Sequence, residues 1–232
     1  MAADHHSTLE TTRPRAECAF CLRQKLMNIL TESDSFFLLA DHAPLIEGHL
    51  LLVPKTHYPC YGALDAKLEE EFLRMKTSAT EFLTRTYRPP VFWEHGVFHQ
   101  TVYHAHLHCF PFGPLQLDLS TFHPHSIGSL AEIRAWYEQR GQYFYFERQP
   151  GEGQLFAPEE MRYFSVLGEL RKQAATHGTW HPPLQRQLNG QPKIQALVQK
   201  WQEFARDRQV VNTESPQPQV KAEHQGDDSD GN

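Results

Sequence analysis

The apolar positions of the chain form short runs around one long periodic stretch. Short apolar runs at residues 35–40, 50–53, 91–93 and 102–110 predict four strands. Between the second and third runs, residues 67–86 carry apolar side chains every three or four positions, which predicts an amphipathic helix. The order of strand, strand, helix, strand and strand favours an antiparallel α+β sheet over a doubly wound parallel sheet.

The pattern changes at residue 129, where helical periodicity replaces the short runs. Ser129 and Glu132 have the spacing of a capping box, which predicts a helix that ends at Gly141. The other predicted elements are a hairpin made of residues 142–146 and 154–156, and two proline-opened helices over residues 158–175 and 192–208. We interpret residues 129–210 as a mostly helical C-terminal extension that packs on the sheet.

The two ends of the chain differ from its centre in composition. Residues 1–15 are polar and irregular, and residues 211–232 are rich in Ser, Pro, Gln, Gly and acids, so both segments are expected to be disordered. A first domain then spans residues 16–128, before the extension. The 22 Lys and Arg against 28 Asp and Glu give a net charge of −6, which argues against a dedicated nucleic-acid surface.

Membrane and export signals are missing from the sequence. No stretch approaches the roughly 18 consecutive apolar residues of a membrane span, and the N-terminus lacks the pattern of a secretory signal. We therefore expect a cytoplasmic protein without membrane contact, in which the four cysteines are reduced. In that setting Cys18 and Cys21, spaced as Cys-x-x-Cys, predict a metal site or a redox pair.

An alternating row of histidines is the most informative stretch. His104, His106 and His108 would share one face of a β-strand at intervals of about 6.5–7 Å. Imidazole acts near neutral pH as a nucleophile, an acid, a base or a metal ligand. Because neighbouring imidazolium ions repel one another, such a row predicts either a metal or an anionic substrate such as phosphate.

Two segments together resemble the histidine triad (HIT) superfamily of nucleotide hydrolases and transferases. They are QTVYHAHLH at residues 100–108 and EGHLLLVPK at residues 47–55, with a long helix between them. The resemblance covers roughly residues 17–115 and implies a HIT-like catalytic domain at residues 16–128. Its fold would be an antiparallel sheet with one long helix, and its members are often homodimers, so we expect a homodimer here.

The resemblance also implies a covalent mechanism. His106 would attack the α-phosphorus of a nucleotide to form a nucleotidyl-histidine, which water or a second substrate resolves. His108 and His49 would stabilise charge on the phosphoryl oxygens. The other implied nucleotide-binding residues are Asp41 at the ribose, Gln100 and Thr101 at the phosphate or leaving group, and Glu94 where many relatives carry Asn. Phosphoramidates, acyl-nucleotides and dinucleoside polyphosphates are the substrate types that this chemistry implies.

The Cys18-Ala-Phe-Cys21 segment resembles the N-terminal motif of zinc-containing members of the superfamily. In those relatives the other two zinc ligands map to His57 and His104. Two thiolates and two imidazoles complete a tetrahedron and leave no open position, so such a zinc is structural. The alternative is a metal-free state with two reduced thiols.

Two other interpretations of the histidines stay open. A metal-dependent hydrolase would use His104, His106 and His108 as ligands, although the three positions span about 13–14 Å along a regular strand. A nucleotide-binding module without turnover would keep the pocket and lose the reaction. Glu94 and His99, which stands where the superfamily usually has glycine, keep that second interpretation open.

Overall fold

The structure, a computed structural model, describes residues 17–115, 122–157, 160–176 and 183–214. The segment predicted to be disordered at residues 1–15 lies outside the described residues. The tail predicted to be disordered at residues 211–232 is corrected in its first four residues, which belong to the last helix, and residues 215–232 lie outside the described residues.

Eight strands of the described residues pair into one sheet. They are β1 Ile29–Glu32, β2 Phe36–Ala40, β3 Leu50–Pro54, β4 Val91–Glu94, β5 Leu107–Phe110, β6 His125–Ile127, β7 Phe144–Glu147 and β8 Gly153–Phe156. Their order across the sheet is β1-β2-β3-β5-β4-β7-β8-β6, and every neighbouring pair is antiparallel.

Helices cover both faces of this sheet. They are α1 Glu69–Thr86, α2 Leu130–Arg140, α3 Glu160–Thr176, α4 Pro183–Asn189 and α5 Gln191–Glu214. Short 3-10 turns lie at Arg23–Lys25, Tyr61–Ala63 and Ala66–Leu68. The predicted α+β class, with an antiparallel sheet, a long helix and a mostly helical C-terminal part, is confirmed.

The two faces of the sheet carry separate cores because side chains alternate along each strand. Leu107 and Cys109 of β5 point to the face that α1 covers. Phe110 points to the opposite face, where it packs in a core with Val166 and Leu170 of α3. His108 stacks on Phe110, with ring centroids 5.5 Å apart, so the histidines lie on the α3 side of the sheet.

The capping box predicted at residue 129 is present. The Glu132 N–H donates to the Ser129 hydroxyl over 3.4 Å, and the Glu132 carboxylate accepts from the Gly128 N–H over 3.2 Å. Gly141 ends α2 in a left-handed conformation with φ of 71°, which glycine adopts without steric cost. The helix therefore begins and ends where its sequence predicts.

The hairpin of the extension corrects one expectation. It does not pack on the sheet but extends it, because β7 pairs with β4 and places Trp93 opposite Phe146. Without the extension, β4 would be an edge strand, and β7 pairs with that edge. The sequence analysis also did not predict β1, β6 and α4, which are short.

The histidine strand is shorter than predicted. The sequence pattern predicts a strand over residues 102–110, whereas β5 begins at Leu107. Upstream of it the backbone turns away from the ladder: the His104 N–H donates to the Val102 carbonyl over 2.8 Å, and the Ala105 N–H to the Tyr58 carbonyl over 2.7 Å. The regular alternation that places three imidazoles on one face therefore holds only for His106 and His108.

The last helix of the extension packs on α1. Trp201 and Phe204 of α5 contact Phe82 of α1, with ring centroids 5.0 and 5.3 Å apart. All three side chains are buried. The extension is therefore part of the same packed body as the sheet. No helix among the described residues is long and apolar enough to cross a membrane.

Trp201→Ala is expected to destabilise the whole chain, since it removes a buried aromatic side chain between α5 and α1. We expect the free energy of unfolding to fall by about 3–5 kcal/mol in urea denaturation. Gln202→Ala, at the exposed neighbouring position, is the matched control and should change it by less than about 0.5 kcal/mol. An equal change in the free energy of unfolding of the two variants would contradict the packing of the extension on the core.

Candidate active site

Four histidines meet where β3, β4 and β5 lie side by side. His49 directly precedes β3, and His95 directly follows β4. His106 directly precedes β5, and His108 is the second residue of β5. The ring centroid of His108 is 5.0 Å from that of His106, 5.2 Å from that of His49 and 6.0 Å from that of His95. The structure thus brings together the three histidines to which the sequence assigned catalysis.

A backbone carbonyl fixes the proton of His106. The Nδ1 atom of His106 lies 2.7 Å from the carbonyl oxygen of His104. Because a carbonyl oxygen only accepts, Nδ1 carries the proton, and a neutral ring then keeps its lone pair on Nε2. Burial lowers the pKa of His106, so the ring is neutral at pH 7. His106 therefore presents an unprotonated Nε2.

Hydrogen bonds give His49 and His108 the tautomer opposite to that of His106. The Leu45 N–H donates to His49 Nδ1 over 3.3 Å, which places the His49 proton on Nε2. His49 Nε2 donates to His108 Nδ1 over 3.0 Å, so His108 in turn carries its proton on Nε2. The Asp41 carboxylate lies 3.5 Å from His49 Nδ1 and forms no hydrogen bond with it. A lone pair on His106 and an N–H donor on His108 therefore lie side by side.

Burial keeps this group of rings uncharged. It lowers the pKa of His49 to about 4 and the pKa of His95 to about 3, and it holds the pKa of His108 well below the usual range. Neighbouring imidazolium charges would further oppose protonation of each ring. The four rings can therefore lie in contact without charge repulsion at neutral pH.

His104 faces a different group of residues. Its Nδ1 lies 3.4 Å from Cys18 Sγ and 3.6 Å from Cys21 Sγ, and His57 Nδ1 lies 3.2 Å from Cys21 Sγ. The four side chains each offer one sulfur or nitrogen atom, and these atoms all lie within 4.8 Å of one another. The structure thus brings together the four residues expected as metal ligands.

The spacing of this Cys/His group fits a tetrahedral metal ion. Metal–sulfur bonds of about 2.3 Å and metal–nitrogen bonds of about 2.0–2.1 Å separate sulfur from nitrogen by about 3.6 Å in a tetrahedron. His104 Nε2 donates to the Pro54 carbonyl over 2.7 Å, which leaves the lone pair on Nδ1, the nitrogen that faces the cysteines. These residues could therefore hold a metal ion.

The three triad histidines are not gathered around one ion. Within the described part of the chain, His104 joins the two cysteines, whereas His108 groups with Asp41 and His49. In that second group both nitrogens of His49 already hold hydrogen bonds. The structure therefore gives no support to a catalytic metal held by His104, His106 and His108.

Asp41 and Gln100 are both buried. Asp41 lies beside His49, and Gln100 belongs to the segment that precedes the three histidines in the sequence. Asp41 follows β2, and its Oδ1 accepts from the Ala43 N–H over 2.6 Å. Gln100 donates from Nε2 to the Pro59 carbonyl over 3.0 Å, while its Oε1 has no partner among the described residues. Each side chain therefore keeps an oxygen atom that could accept a hydrogen bond from a ligand.

Two predicted nucleotide-binding residues lie elsewhere. Thr101 is exposed and lines an open cavity beside Cys18. Glu94 points to the α1 face of the sheet, where its carboxylate accepts from the Tyr61 N–H over 3.0 Å and from the Tyr143 hydroxyl. Burial raises the pKa of Glu94 to about 7. The expectation that Glu94 contacts a nucleotide is corrected, because alternation along β4 turns this side chain away from the histidines.

His95 is the site residue that the sequence analysis missed. In β4, Trp93 is the cross-strand partner of His108 and shares its face, so His95 two residues later returns to that face. Its Nδ1 donates to the Phe98 carbonyl over 3.1 Å. The alternation of side chains along β4 could have predicted His95, whereas the family resemblance pointed to Glu94.

The loop after His95 adopts an unusual backbone. Gly96, Val97 and His99 have φ of 55°, 78° and 52°. A Cβ at position 96 would lie 2.4 Å from the Tyr143 carbonyl oxygen, so only glycine fits there. The left-handed φ of His99 is a conformation that glycine adopts without steric cost. A β-branched residue such as Val97 in this region stores about 1–3 kcal/mol of strain, which is commonest at functional sites.

A family model matches half of the chain. Residues 5–122 match the family described as "Protein similar to CwfJ C-terminal". The chain belongs to this family. The match spans both histidine motifs and the Cys-x-x-Cys pair, and it is consistent with a HIT-like fold. A comparison with curated proteins found no match.

Solved structures of HIT proteins resemble about half of this chain. A HIT family protein from Bacillus anthracis is 18% identical, with 53% of this chain and 96% of that chain covered and a TM-score of 0.41. A HIT family hydrolase from Clostridium thermocellum is 23% identical over 45% and 96% of the two chains, with a TM-score of 0.35. A Zn-bound histidine triad family protein from Mycobacterium smegmatis is 22% identical over 53% and 94%, with a TM-score of 0.34.

Replacing His95 with Asn is expected to flatten the pH dependence of stability. The pKa of His95 is about 3 when folded, against the usual 6.5, so between these values the unfolded chain binds a proton that the folded chain does not. Stability therefore falls as the pH falls through this window, by up to about 1.4 kcal/mol per pH unit for one such group. Urea unfolding between about pH 7 and pH 4 measures this slope.

The matched control for this measurement is His123→Asn. His123 is exposed and has φ of 48°, a conformation that Asn tolerates, so the variant should keep the slope of the unsubstituted protein. A slope in His95→Asn equal to that of the control would show that His95 is not held neutral by burial.

Proposed function

We propose that this chain cleaves or transfers a nucleoside 5′-monophosphate through a covalent intermediate on His106. The observation that carries the proposal is the hydrogen bond from His106 Nδ1 to the His104 carbonyl, 2.7 Å long. It leaves the Nε2 lone pair as a nucleophile that needs no general base. The His108 ring beside it, with its proton on Nε2, supplies a donor for a phosphoryl oxygen.

The proposed reaction consists of two displacements at phosphorus. First, the His106 Nε2 lone pair forms a bond to the α-phosphorus, and the leaving group departs with its bonding electron pair and takes up a proton from solvent. Second, water or an acceptor attacks the phosphorus and releases a proton, while Nε2 departs with the pair that it contributed. In both steps the His108 N–H stabilises the negative charge on the phosphoryl oxygens.

The other residues of the site take different parts in this proposal. His49 acts as a positioning residue, since its Nε2–H is directed at His108 and not at open space. Asp41 is the proposed acceptor for the ribose hydroxyls, and Gln100 the proposed contact of the leaving group. Phosphoramidates, acyl-nucleotides and dinucleoside polyphosphates are the proposed substrates, and nucleotide binding without turnover is the alternative.

We further propose that the metal held by Cys18, Cys21, His57 and His104 is Zn²⁺ in a structural role. Zinc would take two thiolates and two imidazoles and leave no position open for substrate. Bound there, it would tie the N-terminal segment to the residues that precede β5. The His104 carbonyl, which holds His106, belongs to one of its proposed ligands. The four residues would thus affect catalysis only by positioning His106, without contacting the substrate.

Two expectations from the sequence stay predictions. One is a cytoplasmic location. The other is a homodimer, and α5 packs on part of the long helix α1 through Phe82.

His106→Ala is expected to abolish a covalent adduct of the nucleotide. Intact-protein mass spectrometry after a brief acid quench, with adenosine 5′-phosphoramidate as substrate, should show an added nucleoside monophosphate on the unsubstituted protein alone. Turnover should fall by about 10⁴-fold or more, because the nucleophile is lost.

His123→Asn serves as the control and should keep the adduct. An adduct that persists in His106→Ala would place the nucleophile elsewhere, and nucleotide binding with no adduct on any protein would favour a module without turnover.

Cys21→Ser is expected to remove bound zinc. Metal analysis of the purified protein should find about one zinc per unsubstituted chain and much less in the variant, since a structural site needs all four ligands. Cys60→Ala is the matched control, because Cys60 is buried in the core beside α1 and not in the metal group. Zinc bound equally by all three proteins would contradict the assignment.

A further inference from the structure

The extension contacts the histidine site through one short helix. Arg186 of α4 donates from Nη1 to the Ala43 carbonyl over 3.1 Å, two residues after Asp41. At the junction of α4 and α5, a Cβ at Gly190 would lie 2.7 Å from Pro44 Cδ, so the backbone packs closely on the same loop. These two contacts fix α4 against the loop between β2 and β3, which ends at His49.

The Arg186 guanidinium lies against the loop that follows Asp41 and ends at His49. Its positive charge adds to the effect of burial in lowering the pKa of both His49 and His108, and the Asp41 carboxylate partly offsets the effect of burial on the pKa of Arg186 itself. Its Nε is buried without a hydrogen-bond partner among the described residues. Arg186 as a whole is half-buried, but a buried donor such as its Nε is costly unless a ligand satisfies it.

A second arginine of the extension increases that cost. Arg171 of α3 lies close enough that its charge opposes the charge of Arg186. Like charges this close repel each other, and an anion between or beside them relieves the repulsion. Two arginines from two helices of the extension thus create a positive region next to a group of uncharged imidazoles.

The proposed substrate needs such a region. A nucleotide brings at least one negative charge into a buried site of neutral histidines that also contains the Asp41 carboxylate. Binding a phosphate there requires a compensating cation. We propose that Arg186 is a phosphate-binding residue of the histidine site, and that the C-terminal extension completes this site by supplying its positive charge. This inference rests on the proposed function, and it gives the extension a part in recognising a phosphorylated nucleoside.

Arg186→Gln tests the inference in the full chain. Isothermal titration should use the tightest-binding of the four common ribonucleoside 5′-monophosphates and the matching nucleoside without phosphate. We expect the variant to bind the monophosphate roughly 10- to 100-fold more weakly, while affinity for the nucleoside changes less than about twofold. Arg186→Lys should lose only part of the affinity, because it keeps the charge and loses the planar pair of donors.

Arg206→Gln is the matched control, since Arg206 is an exposed arginine of the same extension that contacts only the backbone of its own helix among the described residues. It should bind both ligands like the unsubstituted protein. Equal weakening of monophosphate and nucleoside in Arg186→Gln, or no weakening, would overturn this inference and leave the proposed function standing. Failure of the unsubstituted protein to bind any monophosphate would contradict the proposed function, and with it this inference.

Discussion

The hydrogen bond from His106 Nδ1 to the His104 carbonyl is the constraint on which the site depends. A free imidazole exchanges its proton between two nitrogens, and only one of the two tautomers offers a lone pair on Nε2. The carbonyl selects that tautomer, and burial keeps the ring from taking a second proton. The opposite tautomer of His108, set by His49, provides the donor that a phosphoryl oxygen needs. The proposed nucleophile and the proposed donor are thus distinguished by their hydrogen bonds, although both are neutral histidines.

His104 connects the metal group to this site. Its side chain lies with Cys18 and Cys21, its Nε2 holds the Pro54 carbonyl at the end of β3, and its own carbonyl holds His106. The backbone around His104 leaves the sheet ladder so that these three contacts can form together. A single residue therefore connects the N-terminal segment, β3 and His106.

Local sequence pattern predicted what depends on local structure. The alternation of residues 106–110, the periodicity of α1 and the capping box at Ser129 all appear in the structure. Alternation failed at His104, because the chain leaves the strand there, and the superfamily pattern misled at Glu94, because the register of β4 decides its face. The proposed role of Arg186 could not be predicted from the sequence. Arg186 lies 137 positions after His49, and its place beside the site depends on how the extension packs.

The central claim is that His106 is a neutral imidazole with its proton on Nδ1. Long-range proton–nitrogen correlation spectra of the ¹⁵N-labelled protein, with His106→Asn used to assign the ring, report the tautomer of this residue directly. The account predicts a protonated Nδ1 and an unprotonated Nε2 at neutral pH. A protonated Nε2 or a doubly protonated ring would contradict it, because neither form has a lone pair on Nε2 with which to attack phosphorus.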